Sequence, residues 1–269
     1  MFLISLFTFS DFFVFWTVIE FSSLVFMGLA FRIFRRGYSQ LIRYFLIQAL
    51  ASLIIITSYI YNSSFFFTFG LILKLSMFPF NFWFINLIVR FSNFILWLTI
   101  SLHKIPAILI IYNFRINLDL NLFFLTIILS VFSRGVLIIS TLNLRYLLVI
   151  ASIGNNAWFI LSQYIRIIFF LLFLTFYSFS SYSKEIIFYS NNKHIIRLLV
   201  LRISGLPPFP LFYFKLYSVF ILILLHFNVT YFSIFLFLSS FILIGYVHYL
   251  FKYYINFYNS SSNLILVKN

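Results

Sequence analysis

The sequence predicts an all-α polytopic membrane protein of about ten transmembrane helices, forming a single membrane domain over residues 1–269. Three observations lead there. Of the 269 residues, 64% are hydrophobic and only 8% are charged, against about a quarter charged in ordinary soluble domains. Apolar stretches of about 20 residues, the length needed to cross the hydrocarbon layer, recur along nearly the whole chain. None of them alternates with period two, so their backbone polar groups must be satisfied within helices and not around a closed barrel.

Window length places the spans, in order, at about 11–31, 41–61, 65–83, 92–112, 120–140, 144–163, 165–181, 194–210, 211–228 and 231–254. Charges punctuate them. Arg32, Arg35, Arg36 and Arg43 surround the first loop, and Arg90, Arg115, Lys184, Lys193, Lys252 and Lys268 also fall near span ends, within reach of headgroups or water. The longest polar stretch, "SSYSKEIIFYSNNKH" (180–194), is a loop and not a soluble core. With alternating loops, the side holding 32–43, 84–91, 141–145 and 182–193 collects more Lys and Arg, which makes it the matrix or cytoplasmic side; ten spans then put both termini on the opposite side. Short basic loops facing anionic headgroups account for the net charge of +14, and no nucleic-acid partner is needed.

The amino terminus, "MFLISLFTFSDFFVF", has no basic residue ahead of its apolar run, so it reads as inserted without a cleaved signal. Cysteine is absent, which excludes disulfides and thiolate-held iron-sulfur clusters in this chain. The seven glycines form no G-x-G pair, so no dinucleotide loop is visible, and the chain is expected to bind no cofactor itself. Heavy use of Phe, Ile, Tyr and Asn fits an AT-rich genome such as a mitochondrial one.

Four charges resist sorting to span ends: Glu20, Lys74, Lys104 and Lys215 each lie well inside an apolar run. Insertion costs about 2.5–3.5 kcal/mol for a Lys or an acid at a helix centre, so four such residues represent roughly 10 kcal/mol unless they find water or partners. Snorkelling is the plain alternative for each Lys and suits the shorter Glu20 less. Together they point to a polar interior. Pro79 follows Lys74 by five residues, Pro210 precedes Lys215 by five, and Pro106 follows Lys104. A proline inside a span frees a carbonyl, and broken helices beside ionisable groups are a known way to build a midplane ion site, so broken helices are expected near Lys74 and Lys215. The alternative at each proline is a simple packing kink. A carboxylate beside a buried ammonium favours its charged form, so moving the carboxylate can load or unload a proton.

Other polar residues are read more simply. His103 adjoins Lys104 but points about 100° away on a helix, which favours an interhelical donor, with a proton relay as the alternative. His194, His226 and His248 are expected to be structural. Arg134, in "SVFSRGVLI", implies either that its span ends early or that the side chain binds a headgroup. "FKYYINFY" (251–258) reads as an aromatic interface belt.

Several stretches resemble one family, chain 2 of NADH-ubiquinone oxidoreductase (respiratory complex I), an antiporter-like proton-pumping membrane subunit. "WTVIE" resembles its W-x-G-x-E, with Val18 for the Gly, and places the family's functional glutamate on Glu20. "RYFLIQALAS" (43–52) is similar to its KYFLTQATAS, and "LKLSMFPFNFW" to its MKLGMAPFHFW, which carries the central lysine onto Lys74. "SLHKIPA" resembles TWQKLAP, with the next lysine on Lys104. "LRYLLVIASIGNNAW" is similar to LRKILAYSSITHMGW, and "SGLPPFPLFYFK" to GGLPPLTGFLPK, whose last lysine falls on Lys215. Asn81 and Asn155 stand where the family motifs have His, and Ile85-Asn86 where they have Pro-Glu, so those positions cannot relay protons as His or Glu.

The resemblance implies an antiporter-like bundle in the mitochondrial inner membrane, with a start shortened relative to bacterial relatives and both termini toward the intermembrane space. It implies a proton path through Glu20, Lys74, Lys104 and Lys215, driven by quinone reduction elsewhere. NADH, FMN, iron-sulfur clusters and ubiquinone would sit on other subunits. The implied partners are neighbouring antiporter-like and small quinone-side chains of the membrane arm, together with lipids such as cardiolipin. An independent cation/proton antiporter subunit and a scaffold without its own proton path are the alternatives.

Overall fold

A computed structural model describes residues 11–33, 38–114, 118–140, 144–163 and 210–224, with single or short helical positions at 175, 233, 237, 240, 242, 244–248 and 251. The expected spans 165–181, 194–210 and 231–254 lie largely or wholly outside the described residues, as do Arg35, Arg36, Arg115, Lys184, Lys193, Lys252, Lys268, His194 and His226. Every described element is helical. In chain order these are α1 (Phe12–Ile33), α2 (Tyr38–Ile60), α3 (Ser64–Leu75), α4 (Asn81–Ile88), α5 (Asn93–Ile100), a 3-10 turn (Leu102–Lys104), α6 (Ile105–Asn113), α7 (Leu120–Ser140), α8 (Leu144–Gln163) and α9 (Pro210–Leu224). Four stretches, Phe12–Ile33, Tyr38–Ile60, Phe94–Asn113 and Asn121–Ile139, are long and apolar enough to cross a membrane. Arg32, Arg43 and Arg90 are exposed, as span-flanking charges should be.

An apolar exterior leaves hydroxyl donors without water, and the chain answers by turning them back on its own helices. Ser23 donates to Glu20 O, Ser52 to Ala49 O, Thr68 to Phe65 O, Thr126 to Phe123 O and Ser152 to Val149 O, all at 2.6–2.8 Å. Small residues then allow close approach. A methyl group on Gly70 of α3 would stand 2.8 Å from Ile55 Cγ1 and 3.2 Å from Ala51 O of α2, the small-residue packing expected where water does not drive association.

Aromatic rings register α1 to α3 at one end. Phe12 stacks on Tyr59 with ring centres 3.8 Å apart and meets Phe67 at 6.1 Å and Phe114 at 5.1 Å. The start of α1 is thereby tied to the end of α2, the start of α3 and the end of α6. At the other end Phe31 stacks on Tyr38 at 5.6 Å, and between the two ends the Trp16 Nε1–H donates to Ser52 O at 3.1 Å.

The segment predicted as one span, 65–83, is two helices, α3 and α4, separated by residues 76–80. α3 closes with Ser76 in the left-handed region (φ 56, ψ 43), Ser76 N–H donating to Leu73 O and Met77 N–H to Ile72 O. This is the paired Schellman closure, which normally takes glycine because a Cβ is disfavoured at positive φ. Pro79 follows in the connection, after a cis peptide bond from Phe78. The Ser76 hydroxyl is buried without a partner, so Ser76→Gly removes both a strained Cβ and an orphaned donor. We expect this variant to raise the thermal midpoint of the purified protein by about 2–4 °C, the shift that corresponds to about 1 kcal/mol in a chain of this size; an unchanged or lowered midpoint would contradict the strain.

The Phe94–Asn113 stretch is also irregular, because the 3-10 turn Leu102–Lys104 interrupts it. Pro106, which lacks an N–H, falls in the first turn of α6 where that N–H would have no helical acceptor. Pro210 is the first described residue of α9.

Candidate functional site

Register along the helices explains why Glu20 and Lys74 meet. At 1.5 Å per residue, Glu20 lies about 12 Å along α1 from Phe12, and Lys74 about 10 Å along α3 from Phe67. Since Phe12 and Phe67 touch, the two charges arrive at one level. Lys74 Nζ and Glu20 Oε1 are 3.6 Å apart, with side chains 6% and 23% exposed. That is an ion pair longer than a charge-assisted hydrogen bond of about 2.7–2.9 Å, and Glu20 Oε1 accepts no hydrogen bond.

The end of α3 leaves four carbonyls without helical donors. Those of Ile72 and Leu73 are closed by the turn at Ser76. The other two recruit amides from neighbouring helices: Gln48 Nε2 of α2 donates to Lys74 O at 3.3 Å, and Asn156 Nδ2 of α8 donates to Leu75 O at 2.9 Å. The same Asn156 accepts through Oδ1 from Lys104 Nζ at 3.2 Å, and Lys104 also donates to Ser152 Oγ at 3.3 Å while lying 4.7 Å from the centre of the Phe84 ring. Lys104 is 4% exposed. Asn156 thus links the Lys104 ammonium to the end of the helix that carries Lys74.

Of the four charges singled out in the sequence, three join this connected group. Lys215 is held elsewhere, on α9, with Nζ 5.7 Å from the ring centre of Trp158 in α8. α8 accounts for the division. At 100° per residue, Ser152 and Asn156 form one strip of that helix, and Gly154 and Trp158 form another roughly on the opposite side.

Other readings change in the structure. Arg134 neither ends its span nor reaches a headgroup: α7 runs unbroken through it, and the side chain is 2% exposed. It is accommodated because a Cβ on Gly154 would land on its guanidinium, 2.7 Å from Cζ, and because its Nη2 donates to Tyr246 Oη at 2.8 Å. His103 faces Phe26 and Tyr44, with ring centres at 4.8 and 5.6 Å. Asn81 donates to Ser133 Oγ of α7 at 2.8 Å, Asn86 is exposed, and Asn155 Oδ1 is buried without a partner. His248 is exposed. Asn156, Gln48 and Ser152 escaped sequence reasoning because neutral polar residues carry no depth penalty large enough to stand out; their spacing to the α3 end is purely tertiary. Among the described residues, no group of three or more His, Cys, Asp or Glu is placed to hold a metal ion.

Gly154 and Arg134 should behave as a pair. Gly154→Ala is expected to cost about 1–3 kcal/mol by overpacking, and Arg134→Ala in the same chain to recover much of it. Thermal unfolding of the two single variants and the double variant measures the coupling; strict additivity would disprove the contact.

Fold and site define a class: a multi-pass helical membrane protein with interrupted helices, in whose interior, among the described residues, Lys74, Lys104 and Arg134 are buried and Glu20 pairs with Lys74. Comparison with known proteins sharpens this. No family model matches the chain. NADH-ubiquinone oxidoreductase chain 2 of Albinaria caerulea is 30% identical over 224 residues, covering 78% of this chain and 71% of the relative. That of Artemia franciscana is 28% identical over 218 residues, covering 74% and 70%. Among solved structures, a chain of respiratory complex I from Thermus thermophilus with bound aureothin matches with a TM-score of 0.72 at 16% identity, a likeness of fold. The match covers 87% of this chain and 63% of that one. The chain belongs to the NADH-ubiquinone oxidoreductase chain 2 family.

Proposed function

We propose that the chain is a membrane-arm subunit of respiratory complex I in the mitochondrial inner membrane, carrying one proton-translocation path driven by quinone reduction elsewhere in the complex. The observation that carries this reading is the Lys74–Glu20 pair at the end of α3, tied through Asn156 to Lys104. Such an arrangement moves protons without redox chemistry of its own. While Glu20 stays close, it holds a charged Lys74; when it withdraws, the ammonium loses its counter-ion and gives its proton toward Lys104, which accepts it once its own proton has passed on. Lys215, across α8, delivers the proton to the far half, with water filling the intervals. The interruptions after Lys74 and at Lys104 serve as the broken helices of the site, and they let backbone carbonyls and amides surround the charges where lipid could not.

In this reading the chain has about ten spans, both termini face the intermembrane space, and NADH, FMN, iron-sulfur clusters and ubiquinone are bound by other subunits. Exposed Leu24, Leu46, Leu50 and Leu53 on α1 and α2 would be covered by lipids such as cardiolipin or by neighbouring membrane-arm subunits. Purification of the tagged chain in mild detergent tests the assignment. Recovery with flavin- and iron-sulfur-bearing subunits is expected, and a map of that complex should place Glu20, Lys74, Lys104 and Lys215 on one hydrated level. Recovery of the chain without those subunits would overturn the assignment in favour of an independent antiporter subunit.

A further inference from the structure

Arg134 is a buried cation that this path leaves unused. It lies about two-thirds of the way along α7, 2% exposed, with Nη2 on Tyr246 Oη at 2.8 Å, Cζ 5.6 Å from the Tyr246 ring centre, and Nε buried without a partner. No described carboxylate pairs with it: Glu20 faces Lys74, Asp119 accepts from the Leu122 N–H at the start of α7, and Asp11 is exposed at the start of α1. A guanidinium keeps its proton throughout the working range of a protein, and a buried charge without a counter-ion is costly. The fold nevertheless makes room for it, since Gly154 leaves open the space that the guanidinium fills.

What the charge faces gives it a role. Gly154, which receives Arg134, and Trp158, over which Lys215 Nζ sits, are one turn apart on the same strip of α8. The anchors of Lys104, Ser152 and Asn156, lie on the other side of that helix.

We propose that Arg134 is a positioning residue for the Lys215 half of the proton path: a fixed positive charge, seated in the Gly154 notch, that makes any proton arriving at Lys215 a further positive charge on the same side of α8 and drives it onward. Like charges in an apolar pocket repel, so the arriving proton moves on and does not accumulate. The inference rests on the proton path proposed above and assigns it one more residue.

The test uses inner-membrane vesicles containing the assembled complex with wild-type chain, Arg134→Lys, Arg134→Gln or Lys74→Met. Three quantities are read: the amount of assembled complex, NADH oxidation, and protons translocated per NADH. Arg134→Lys should keep the proton ratio, whereas Arg134→Gln should assemble yet lower the ratio about twofold, because it removes the charge while keeping a polar side chain. A normal ratio in Arg134→Gln beside a collapsed ratio in Lys74→Met overturns this inference alone; normal ratios in both overturn the path itself. If Arg134→Gln fails to assemble, Tyr246→Phe decides, since it keeps the charge and removes its hydrogen bond. Normal assembly and ratio in Tyr246→Phe support the electrostatic role, and failed assembly there replaces it with a structural one.

Discussion

Lys74→Met is expected to leave the complex assembled in near-normal amount while coupled NADH-quinone turnover and proton pumping fall by roughly tenfold or more, the scale on which a positioned proton-transferring group matters. Assembly survives because methionine occupies the same apolar surroundings without a charge to desolvate. The backbone role of position 74 is untouched, since Gln48 bonds its carbonyl and not its ammonium. Glu20→Gln should produce a similar defect, and the double variant should be little worse than either single one, as expected for two groups that act as a unit. Unchanged turnover and pumping in Lys74→Met would remove Lys74 from the path. Defects limited to assembly would favour the scaffold reading.

Asn156→Leu is the second large effect, and it separates Asn156 from its neighbour. The substitution deprives buried Lys104 of one of its two hydrogen-bond acceptors and orphans the Leu75 carbonyl at the end of α3. Leaving a buried charge and a buried carbonyl under-satisfied costs about 3 kcal/mol. A lower thermal midpoint is expected together with reduced pumping in whatever complex assembles. Asn155→Leu removes a side chain whose Oδ1 accepts nothing, so its effect on stability should be much smaller. Equal effects of the two substitutions would contradict the bridge.

The parts of this protein that could be read along the chain are those with a large local cost. α7 begins at the expected residue 120, and the described helices Leu120–Ser140 and Leu144–Gln163 fall within the expected spans 120–140 and 144–163, because the length of an apolar run is itself the requirement for spanning lipid. Glu20, Lys74 and Lys104 stood out for the same reason: a charge at depth costs kilocalories wherever it points. The division of 65–83 into α3 and α4 was less legible. Pro79 marked a disturbance, but the turn that ends α3 is made by Ser76, a residue type with no strong tendency to stop a helix. Asn156 gave no signal at all. Arg134 is conspicuous along the chain but its setting is not, since a lone arginine in an apolar run gives no clue that a glycine twenty residues later and a tyrosine more than a hundred residues later will enclose it.

By itself, then, the sequence determined the solvent this protein lives in, the approximate order of its described spans, and which charges must find company inside them. Only the tertiary structure decided what that company is. It set Glu20 opposite Lys74, gave Lys104 to Asn156, and placed Arg134 against Gly154 on the side of α8 that also carries the Trp158 contact of Lys215. The reason is physical: partition into lipid sums over neighbouring residues and can be read from any window, whereas a hydrogen bond or an ion pair depends on angstrom-scale approach between helices, which register and small-residue packing fix only once the helices are together.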